Sequence, residues 1–343
     1  MKRSTTILAV TAALALVIAA CGSAATTTTT TGAPTTVAPS TTTPATTTAP
    51  TTTVAPTTTE APPEARTFVG GDGVETTIED ISRIVSLNGD LTEIIFELGL
   101  GDNVVGVDVT TTYPAEAAAM NEQGQTVGFA QQLAAEAVLR FDPTLVIGDQ
   151  QVAPTEAIEQ LRAAGVPVVI LETQTSVDGV GTKINQVAEI LGVPGEGASL
   201  ASRVTGEIDA AKALVTDDDT DPTVAFVYVR GPQVVFLFGG GTPTSSMIEA
   251  AGAVDAGTEA GVFGPAPLTP EALVAAAPDV IVLPEAGLAA LGGVDAFLQI
   301  PGVADTPAGQ NGAFLMYDEA YFFNLGPRTG QALEEFISDL YAE

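Results

Sequence analysis

The 343-residue chain contains no His and no Trp, and it has a single Cys. Without His, neither a Ser-His-Asp or Cys-His catalytic site nor a His-ligated zinc or haem site can form. One Cys excludes an intramolecular disulfide, a CxxC redox motif and a cysteine-clustered metal site. Basic residues are also scarce, with 11 Lys and Arg against 42 Asp and Glu, a net charge of −31. Because phosphate binding needs clustered basic side chains, this balance argues against a nucleic-acid ligand.

The first 21 residues have the pattern of an export signal. Lys2 and Arg3 precede an apolar run from Ile7 to Ala20, which is shorter than a membrane span requires. The last four residues, Ile18-Ala19-Ala20-Cys21, have the form of a bacterial lipoprotein cleavage site. We therefore predict a lipoprotein signal peptide over 1–21, with Cys21 acylated and anchoring the chain to the cell membrane. A plain secretory signal that ends at a Cys is the alternative.

Residues 22–66 are dominated by two residue types, with 20 Thr and 7 Pro in 45 positions. Pro and β-branched Thr favour extended backbone and offer too little apolar surface for a core, which predicts a disordered stalk. The remaining residues, 67–343, carry 8 basic and 40 acidic side chains. We interpret this excess as an acidic, well-solvated surface.

From residue 67 onward, short apolar runs alternate with amphipathic helical patterns. Strands are expected at Ile84–Leu87, Val104–Val107, Leu145–Ile147, Val166–Leu171, Val224–Val229, Val234–Phe238 and Val280–Val282. Helices are expected at Leu91–Leu98, Glu136–Phe141, Glu156–Ala164, Val177–Leu191, Gly197–Val215 and Val294–Leu298. Strands and helices that alternate at this spacing predict an α/β fold with parallel sheets covered by helices.

A weak internal repeat indicates two lobes. Residues 133–147 align with residues 268–282 at a constant offset of 135, and each copy has a helix entry, a Pro and a buried strand. We therefore expect similar α/β lobes over 67–175 and 218–343. The interlobe segment 176–217 has no strand signal, and its second part predicts one long helix. A single connecting helix restricts the lobes to small relative motion.

Several motifs resemble those of a known family of transport proteins. They are Arg83–Ile95, Val105–Asp108 leading to Thr112–Pro114, Leu133–Pro143 with its strand, and Tyr228–Gly231. With the anchor, stalk and connecting helix, they resemble the substrate-binding proteins of ABC importers, in the helical-backbone class III that serves haem, cobalamin and iron siderophores. The resemblance covers 80–343 and is closest for the hemin-binding branch. It implies an extracytoplasmic monomer that catalyses nothing and delivers its ligand to a permease and ATPase complex.

The resemblance also implies which residues bind the ligand. In the hemin branch an anionic Tyr binds the ferric iron of haem, which is the transported ligand and not a catalytic cofactor. Tyr113, in a Tyr-Pro motif, and Tyr228, in a Tyr-x-Arg motif, match the two positions that supply this Tyr. Arg230 lies two residues further along the strand, so it points to the same face and is expected to stabilise the phenolate. Asn88 and Arg328 are further expected ligand contacts.

The second axial position on the iron is left open by the sequence. Family members that fill it generally use His, which this chain lacks. The iron would then be held by one Tyr, by two Tyr from opposite lobes, or by a Tyr and the sulfur of Met120, Met247 or Met316.

The resemblance further implies that one surface Glu in each lobe docks to the permease. The matching residues are Glu136, in Leu133–Ala137, and Glu249, in Ser246–Gly252. Charge pairing across such a wet interface mainly fixes orientation and raises the association rate.

Two other functions stay open from the sequence alone. The same fold with cobalamin or a ferric siderophore as ligand is the nearer one, although such pockets often use Trp, which is absent here. The more distant one is an exported hydrolase that uses the carboxylates of Asp217-Asp218-Asp219-Thr220-Asp221. This acidic run is more simply a solvated interlobe loop.

Overall fold

The computed structural model describes residues 65–215 and 221–342. The predicted signal peptide, the acylation site Cys21 and residues 22–64 of the predicted stalk lie outside the described residues, as do residues 217–220 of the acidic run. Within the described part of the chain, no helix combines the length and apolar character needed to cross a membrane.

The first half of the chain builds a four-stranded sheet covered by helices. Its elements are β1 (Arg66–Val69), β2 (Glu75–Ile78), β3 (Ile84–Ser86), α1 (Gly89–Glu97), β4 (Val104–Val107), α2 (Ala115–Glu122), α3 (Ala135–Leu139), β5 (Leu145–Asp149), α4 (Thr155–Ala163) and β6 (Val168–Leu171). The sheet has the order β4-β3-β5-β6 and all its strands are parallel, as expected. The antiparallel hairpin β1–β2 was not predicted. Arg66 belongs to this hairpin and not to the stalk, since it pairs with Ile78 and its Nε donates to the carbonyl of Ile190.

Two packed helices connect the halves, α5 (Val180–Leu191) and α6 (Pro194–Lys212). Gly192 separates them in the left-handed region with a φ of 78°, a conformation that glycine adopts without a steric penalty. Pro194 then begins α6 at a position where its missing N–H costs no hydrogen bond. At 19 residues, α6 is about 28 Å long and is the long helix that the sequence predicts.

The second half builds a six-stranded sheet. Its elements are β7 (Thr223–Val229), β8 (Val235–Phe238), α7 (Pro243–Ala250), β9 (Val254–Asp255), α8 (Ala256–Glu259), β10 (Pro265–Pro267), α9 (Pro270–Ala276), β11 (Val280–Pro284), α10 (Glu285–Leu291), α11 (Val294–Phe297), α12 (Pro307–Asn311), β12 (Phe314–Tyr317), α13 (Glu319–Phe323) and α14 (Thr329–Leu340). The strand order is β10-β8-β7-β11-β12, and β9 pairs with β7.

This second sheet is mixed, so the expectation of purely parallel sheets is wrong here. β7, β9, β11 and β12 are parallel, whereas β8 runs antiparallel to both β7 and β10. The cause is the short link from β7 to β8, a turn in which the N–H of Arg230 donates to the carbonyl of Val234 at 2.9 Å. A link this short joins antiparallel strands only, because parallel neighbours need a long crossover.

The internal repeat is present in the backbone. α3 and β5 of the first half correspond to α9 and β11 of the second at the offset of 135 residues. The correspondence extends to conformation, because Asp142 (φ 47°) and Ala277 (φ 44°) are equivalent positions and are the non-glycine residues with positive φ in the described chain. Each lies between a helix and a strand, directly before a Pro, and the left-handed conformation costs about 1 kcal/mol. The two lobes therefore share one helix-turn-strand unit.

The largest buried cluster holds the two halves together. It contains side chains of both sheets, of the connecting helices and of α14, including Ile94, Val187, Val204, Phe226 and Phe336. α14 packs so closely on α6 that a Cβ on Gly330 would lie 2.5 Å from the Cβ of Glu207. The predicted fold class, two α/β lobes joined by a helical segment, is confirmed.

Candidate functional site

A cavity of about 420 Å³ lies where the carboxyl ends of strands from both sheets meet. Its lining comes from the chain that follows or ends β3, β4, β5 and β6 in the first half and β7, β11 and β12 in the second. Such carboxyl-edge crevices are where open α/β folds bind their ligands. The lining residues include Asn88, Asp90, Thr110, Phe129, Asp149, Glu172, Lys183, Tyr228, Arg230, Phe238, Asp318, Glu319 and Phe323.

Tyr228 and Arg230 lie in this cavity on the same side of β7, as their spacing predicts. The hydroxyl of Tyr228 donates a hydrogen bond to Glu319 Oε1 at 3.1 Å. An Nη of Arg230 lies 3.6 Å from the other oxygen of Glu319. Glu319, the first residue of α13, therefore contacts both side chains of the Tyr-x-Arg motif.

The phenol of Tyr228 is held in its protonated form when no ligand is bound. Burial and, after it, the negative charge of Glu319 raise its pKa to about 12, against the opposing effect of Arg230. The expectation that Arg230 would lower the pKa is therefore right in sign but is outweighed in this state. A metal ion that binds the oxygen of Tyr228 therefore has to displace the phenol proton and its hydrogen bond to Glu319.

Phe129 supplies an apolar surface that faces the motif from the first half. Its ring centroid lies 5.4 Å from the guanidinium carbon of Arg230. Behind Tyr228, the rings of Phe238 and Phe323 contribute further apolar lining. The cavity thus presents a phenol oxygen amid aromatic side chains, which suits a flat, largely apolar ligand that carries a metal.

Tyr113 and Arg328 lie outside the cavity lining and contact each other. Neither is among the residues that line the cavity, and the Arg328 guanidinium lies 3.9 Å above the Tyr113 ring. Both arms of Arg328 donate to the carboxylate of Glu93, each at 3.0 Å. Glu93 lies on α1, so this ion pair joins the two halves. Arg328 is therefore committed to a protein carboxylate and not to the cavity.

Asn88 lies in the cavity wall but has its polar atoms engaged. Its amide nitrogen donates to Asp149 Oδ1 at 3.2 Å, and its oxygen accepts from the N–H of Asp149 at 3.1 Å. This pairing fixes the loop after β3 against the end of β5. Burial and the charge of Asp90 raise the pKa of Asp149 above its ordinary value.

None of the three candidate methionines is among the residues that line the cavity. Met120 and Met247 are buried in the hydrophobic core. Met316 is exposed on β12 and is not among the lining residues. The described residues also contain no group of three or more Cys, Asp and Glu suited to a metal ion.

The two predicted docking residues are both exposed on helices. Glu136 lies in the first turn of α3 and Glu249 near the end of α7. The repeat adds a third residue, because Glu271 stands 135 positions after Glu136 and lies in the first turn of α9. Glu271 is exposed as well, so the fold equivalent of Glu136 is Glu271 and not Glu249.

Sequence reasoning missed Glu319, Phe129 and Glu93. Each meets its partner through the tertiary fold, across 91 residues for the pair of Glu319 and Tyr228 and 235 residues for the pair of Glu93 and Arg328. The one available signal was Asp318, whose side chain accepts from the N–H of Tyr321 and caps α13. An Asp just after an apolar strand marks the start of a helix at the carboxyl edge, which is where Glu319 lies.

Solved structures of haem-binding proteins resemble this chain closely. The periplasmic heme-binding protein RhuT from Roseiflexus sp. RS-1, in its apo form, is 45% identical, with a TM-score of 0.73 over 76% of this chain and 98% of that one. The heme-binding protein HmuT is 35% identical, with a TM-score of 0.75 over 84% and 94%. The periplasmic heme-binding protein BhuT in complex with two hemes is 34% identical, with a TM-score of 0.68 over 75% and 97%.

Curated relatives found by sequence are transport proteins too. The uncharacterized ABC transporter substrate-binding lipoprotein YvrC of Bacillus subtilis is 26% identical over 78% of this chain and 82% of its own length. A cobalamin-binding protein of Halobacterium salinarum is 30% identical over 58% of this chain and 53% of its own length.

The profile of the family described as "periplasmic binding protein" matches residues 84–321, which span both sheets and the cavity between them. These relatives are extracytoplasmic binding proteins and not enzymes, and they serve a permease and an ATPase. The chain therefore belongs to the periplasmic binding protein family and is a substrate-binding protein of an ABC importer of the haem and vitamin B12 type.

Proposed function

We propose that this protein captures ferric haem in the cavity between its lobes, with Tyr228 as the iron ligand, and delivers it to an ABC permease. The observation that carries the proposal is the phenol oxygen of Tyr228 in an aromatic-lined cavity, with Arg230 beside it. Tyr is an established haem ligand, and a nearby guanidinium favours the phenolate that ligation requires. The haem-binding proteins of the same fold support the choice of ligand.

Iron ligation rearranges the contacts of Tyr228 in this proposal. The ferric ion takes the place of the phenol proton, so Glu319 loses the hydrogen bond that it accepts from the hydroxyl. Arg230, which lies beside Glu319, then balances the charge of the phenolate. Phe129 faces the motif from the first half and offers no ligand atom, so Tyr228 is the single protein ligand of the iron in this proposal.

Titration with hemin tests this function against its nearest alternative, cobalamin, which is the ligand named for several relatives. We expect hemin to produce a shifted Soret band with saturation at one equivalent and to raise the melting temperature. Cyanocobalamin is expected to leave the melting temperature unchanged at the same concentration. Stabilisation by cyanocobalamin together with no Soret shift from hemin would replace haem by a corrinoid.

We further propose that Cys21 is acylated and tethers the protein to the cell membrane through the Thr/Pro-rich stalk. The position of the chain's single Cys at the end of the export signal supports this. Metabolic labelling with a radioactive fatty acid, in the native chain and in Cys21→Ser, tests it.

For docking, we propose that each lobe presents one Glu to the permease, Glu136 from the first lobe and one from the second. The resemblance assigns the second to Glu249, whereas the equivalence of α3 and α9 favours Glu271. We expect Glu136→Lys to leave hemin affinity unchanged and to lower haem-stimulated ATPase activity of the reconstituted importer by about tenfold or more. The reason is that the introduced Lys would repel the basic permease residue that Glu136 is expected to meet.

Two variants, Glu249→Lys and Glu271→Lys, identify the second docking residue when they are compared in the same ATPase assay. We expect the larger loss with Glu271→Lys. Glu196→Lys, an exposed substitution on α6, controls for net charge. Equal activity of the native chain and Glu136→Lys would contradict the docking assignment.

A further inference from the structure

The charges that line the cavity are unusual for a site that binds a dicarboxylate such as haem. Five of the described lining residues are acidic and two are basic; the acidic ones are Asp90, Asp149, Glu172, Asp318 and Glu319, and the basic ones are Lys183 and Arg230. A propionate carboxylate placed among them would meet mainly like charge. Like charges destabilise each other most where water is excluded.

Each of these two basic residues already has a carboxylate partner in the protein. The ammonium of Lys183 lies 2.6 Å from Asp90 Oδ2, and the two side chains are only 6% and 16% exposed. Taking Lys183 away from this buried pair would leave an uncompensated carboxylate, which is strongly unfavourable. Arg230 is held 3.6 Å from Glu319. Both positive charges in the wall are thus already neutralised by the protein.

Arg328 does not supply the missing charge. It lies between α13 and α14, but its Nε and one Nη donate to Glu93, and its guanidinium lies against the rings of Tyr113 and Tyr321. Its side chain is 18% exposed and that of Glu93 is 7% exposed. A carboxylate ligand would have to break this bidentate pair to reach it.

We infer that the site recognises the metal and the apolar face of an iron porphyrin and leaves both propionates in water, unpaired with any basic side chain of the described residues. This rests on the proposed function and deepens it, since it defines the substrate class as iron porphyrins irrespective of their carboxylates. Orientation follows from the same charges. The porphyrin enters with its carboxylate-bearing edge toward the open side of the cleft and its apolar edge toward Phe238 and Phe323.

Glu319 is the residue that sets this selectivity. By pairing with Arg230 it cancels the one basic group of the wall that is half-exposed and that a propionate would otherwise approach. Glu319→Gln keeps the size and the hydrogen-bonding capacity of the side chain but releases the guanidinium. The variant is therefore expected to acquire a preference for charged propionates that the native protein lacks.

The test compares hemin with hemin dimethyl ester, in which both propionates are neutral, in the same mixed solvent and read through the Soret band. In the native protein we expect the two dissociation constants to agree within about threefold, or the ester to bind more tightly. In Glu319→Gln we expect hemin to be favoured by about three- to fivefold, the size of an exposed ion pair. Glu189→Gln, an exposed change on α5 outside the cavity lining, is the matched control and should behave as the native protein.

The outcomes separate the inference from the function on which it rests. If hemin itself produces no Soret shift, the proposed function fails. If hemin binds but its dimethyl ester binds tenfold or more weakly in the native protein, the propionates are gripped by protein cations and only the inference is overturned. If the ratio of the two constants is the same in Glu319→Gln as in the native protein, Glu319 does not set the selectivity, and that assignment is overturned.

Discussion

Replacing Tyr228 by Phe is expected to weaken hemin binding on the order of 100-fold, equivalent to about 2.7 kcal/mol. Among the described residues that line the cavity, Tyr228 carries the one phenol oxygen. Its loss removes the bond to the iron while the aromatic walls remain, so residual binding reflects apolar contact alone. Absorbance titration measures the affinity, and the charge-transfer band of a Tyr-ligated ferric haem should disappear.

The variant is expected to fold as well as the native protein. Phe keeps the ring that packs 5.8 Å from Phe238, and it removes a half-buried hydroxyl that donates to Glu319. Glu319 retains Arg230 as its partner, so no buried charge is left alone. Thermal unfolding of the unliganded variant checks this and separates lost ligation from lost structure.

Two further variants decide between the tyrosines that match the family motifs. Tyr113→Phe should change hemin affinity less than about threefold, because its ring packs under Arg328 outside the cavity lining. Tyr341→Phe, whose hydroxyl donates to the carbonyl of Ala251 at the end of α7, is the remote control. A native-like spectrum in Tyr228→Phe combined with a lost band in Tyr113→Phe would move the iron to the other motif.

The sequence predicted those elements whose signal is local. Five predicted strands are all present, because a short run of apolar residues predicts a buried strand of a parallel sheet. They begin near Ile84, Val104, Leu145, Val224 and Val280. The hairpin β1–β2 escaped because its strands are only four residues long and their sequences, RTFV and ETTI, do not alternate polar and apolar residues. α14 was overlooked although Leu333, Phe336 and Ile337 recur at helical spacing and face the core.

The site was predictable only in part, for a physical reason. The position of Tyr228 and Arg230 on one face follows from the two-residue period of a strand, and the structure places both in the cavity. The protonation of Tyr228 does not follow, because it depends on burial and on a carboxylate 91 residues away. The pairing of Arg328 does not follow either, since its partner Glu93 comes from the other half of the chain.

The second large effect is expected from the ion pair between Glu93 and Arg328. Arg328→Met keeps an unbranched, flexible side chain but removes the guanidinium, with its charge and its contact with the ring of Tyr113. It leaves the Glu93 carboxylate, which is 7% exposed, without its partner. Breaking a buried pair from one side typically costs about 3–5 kcal/mol. We expect the free energy of unfolding, measured with urea near neutral pH, to fall by that amount.

The loss should depend on pH in a defined direction. Burial raises the pKa of Glu93 above its ordinary value of 4.5, and the hydrogen bonds and charge of Arg328 oppose that rise. Without Arg328 the pKa rises further. A raised folded-state pKa stabilises the folded protein at pH values below the unfolded-state pKa, and this contribution is lost as the pH rises through the folded-state pKa. The loss of stability in Arg328→Met is therefore largest at neutral pH. It should shrink as the pH approaches 4.5 and Glu93 becomes neutral.

Arg203→Met is the matched control. Arg203 also forms ion pairs, in its case with Glu97 and Glu207, but its side chain is 41% exposed. Exposed pairs contribute about 1 kcal/mol or less, so this variant should remain close to the native stability at every pH. Equal deficits in the two variants, or a deficit in Arg328→Met that is constant with pH, would contradict a buried charge as the cause. The expected contrast would instead identify Glu93 and Arg328 as a charged link between α1 of one lobe and the start of α14 of the other. Such a link limits the relative motion of the lobes, and the cavity is then largely formed before the ligand arrives.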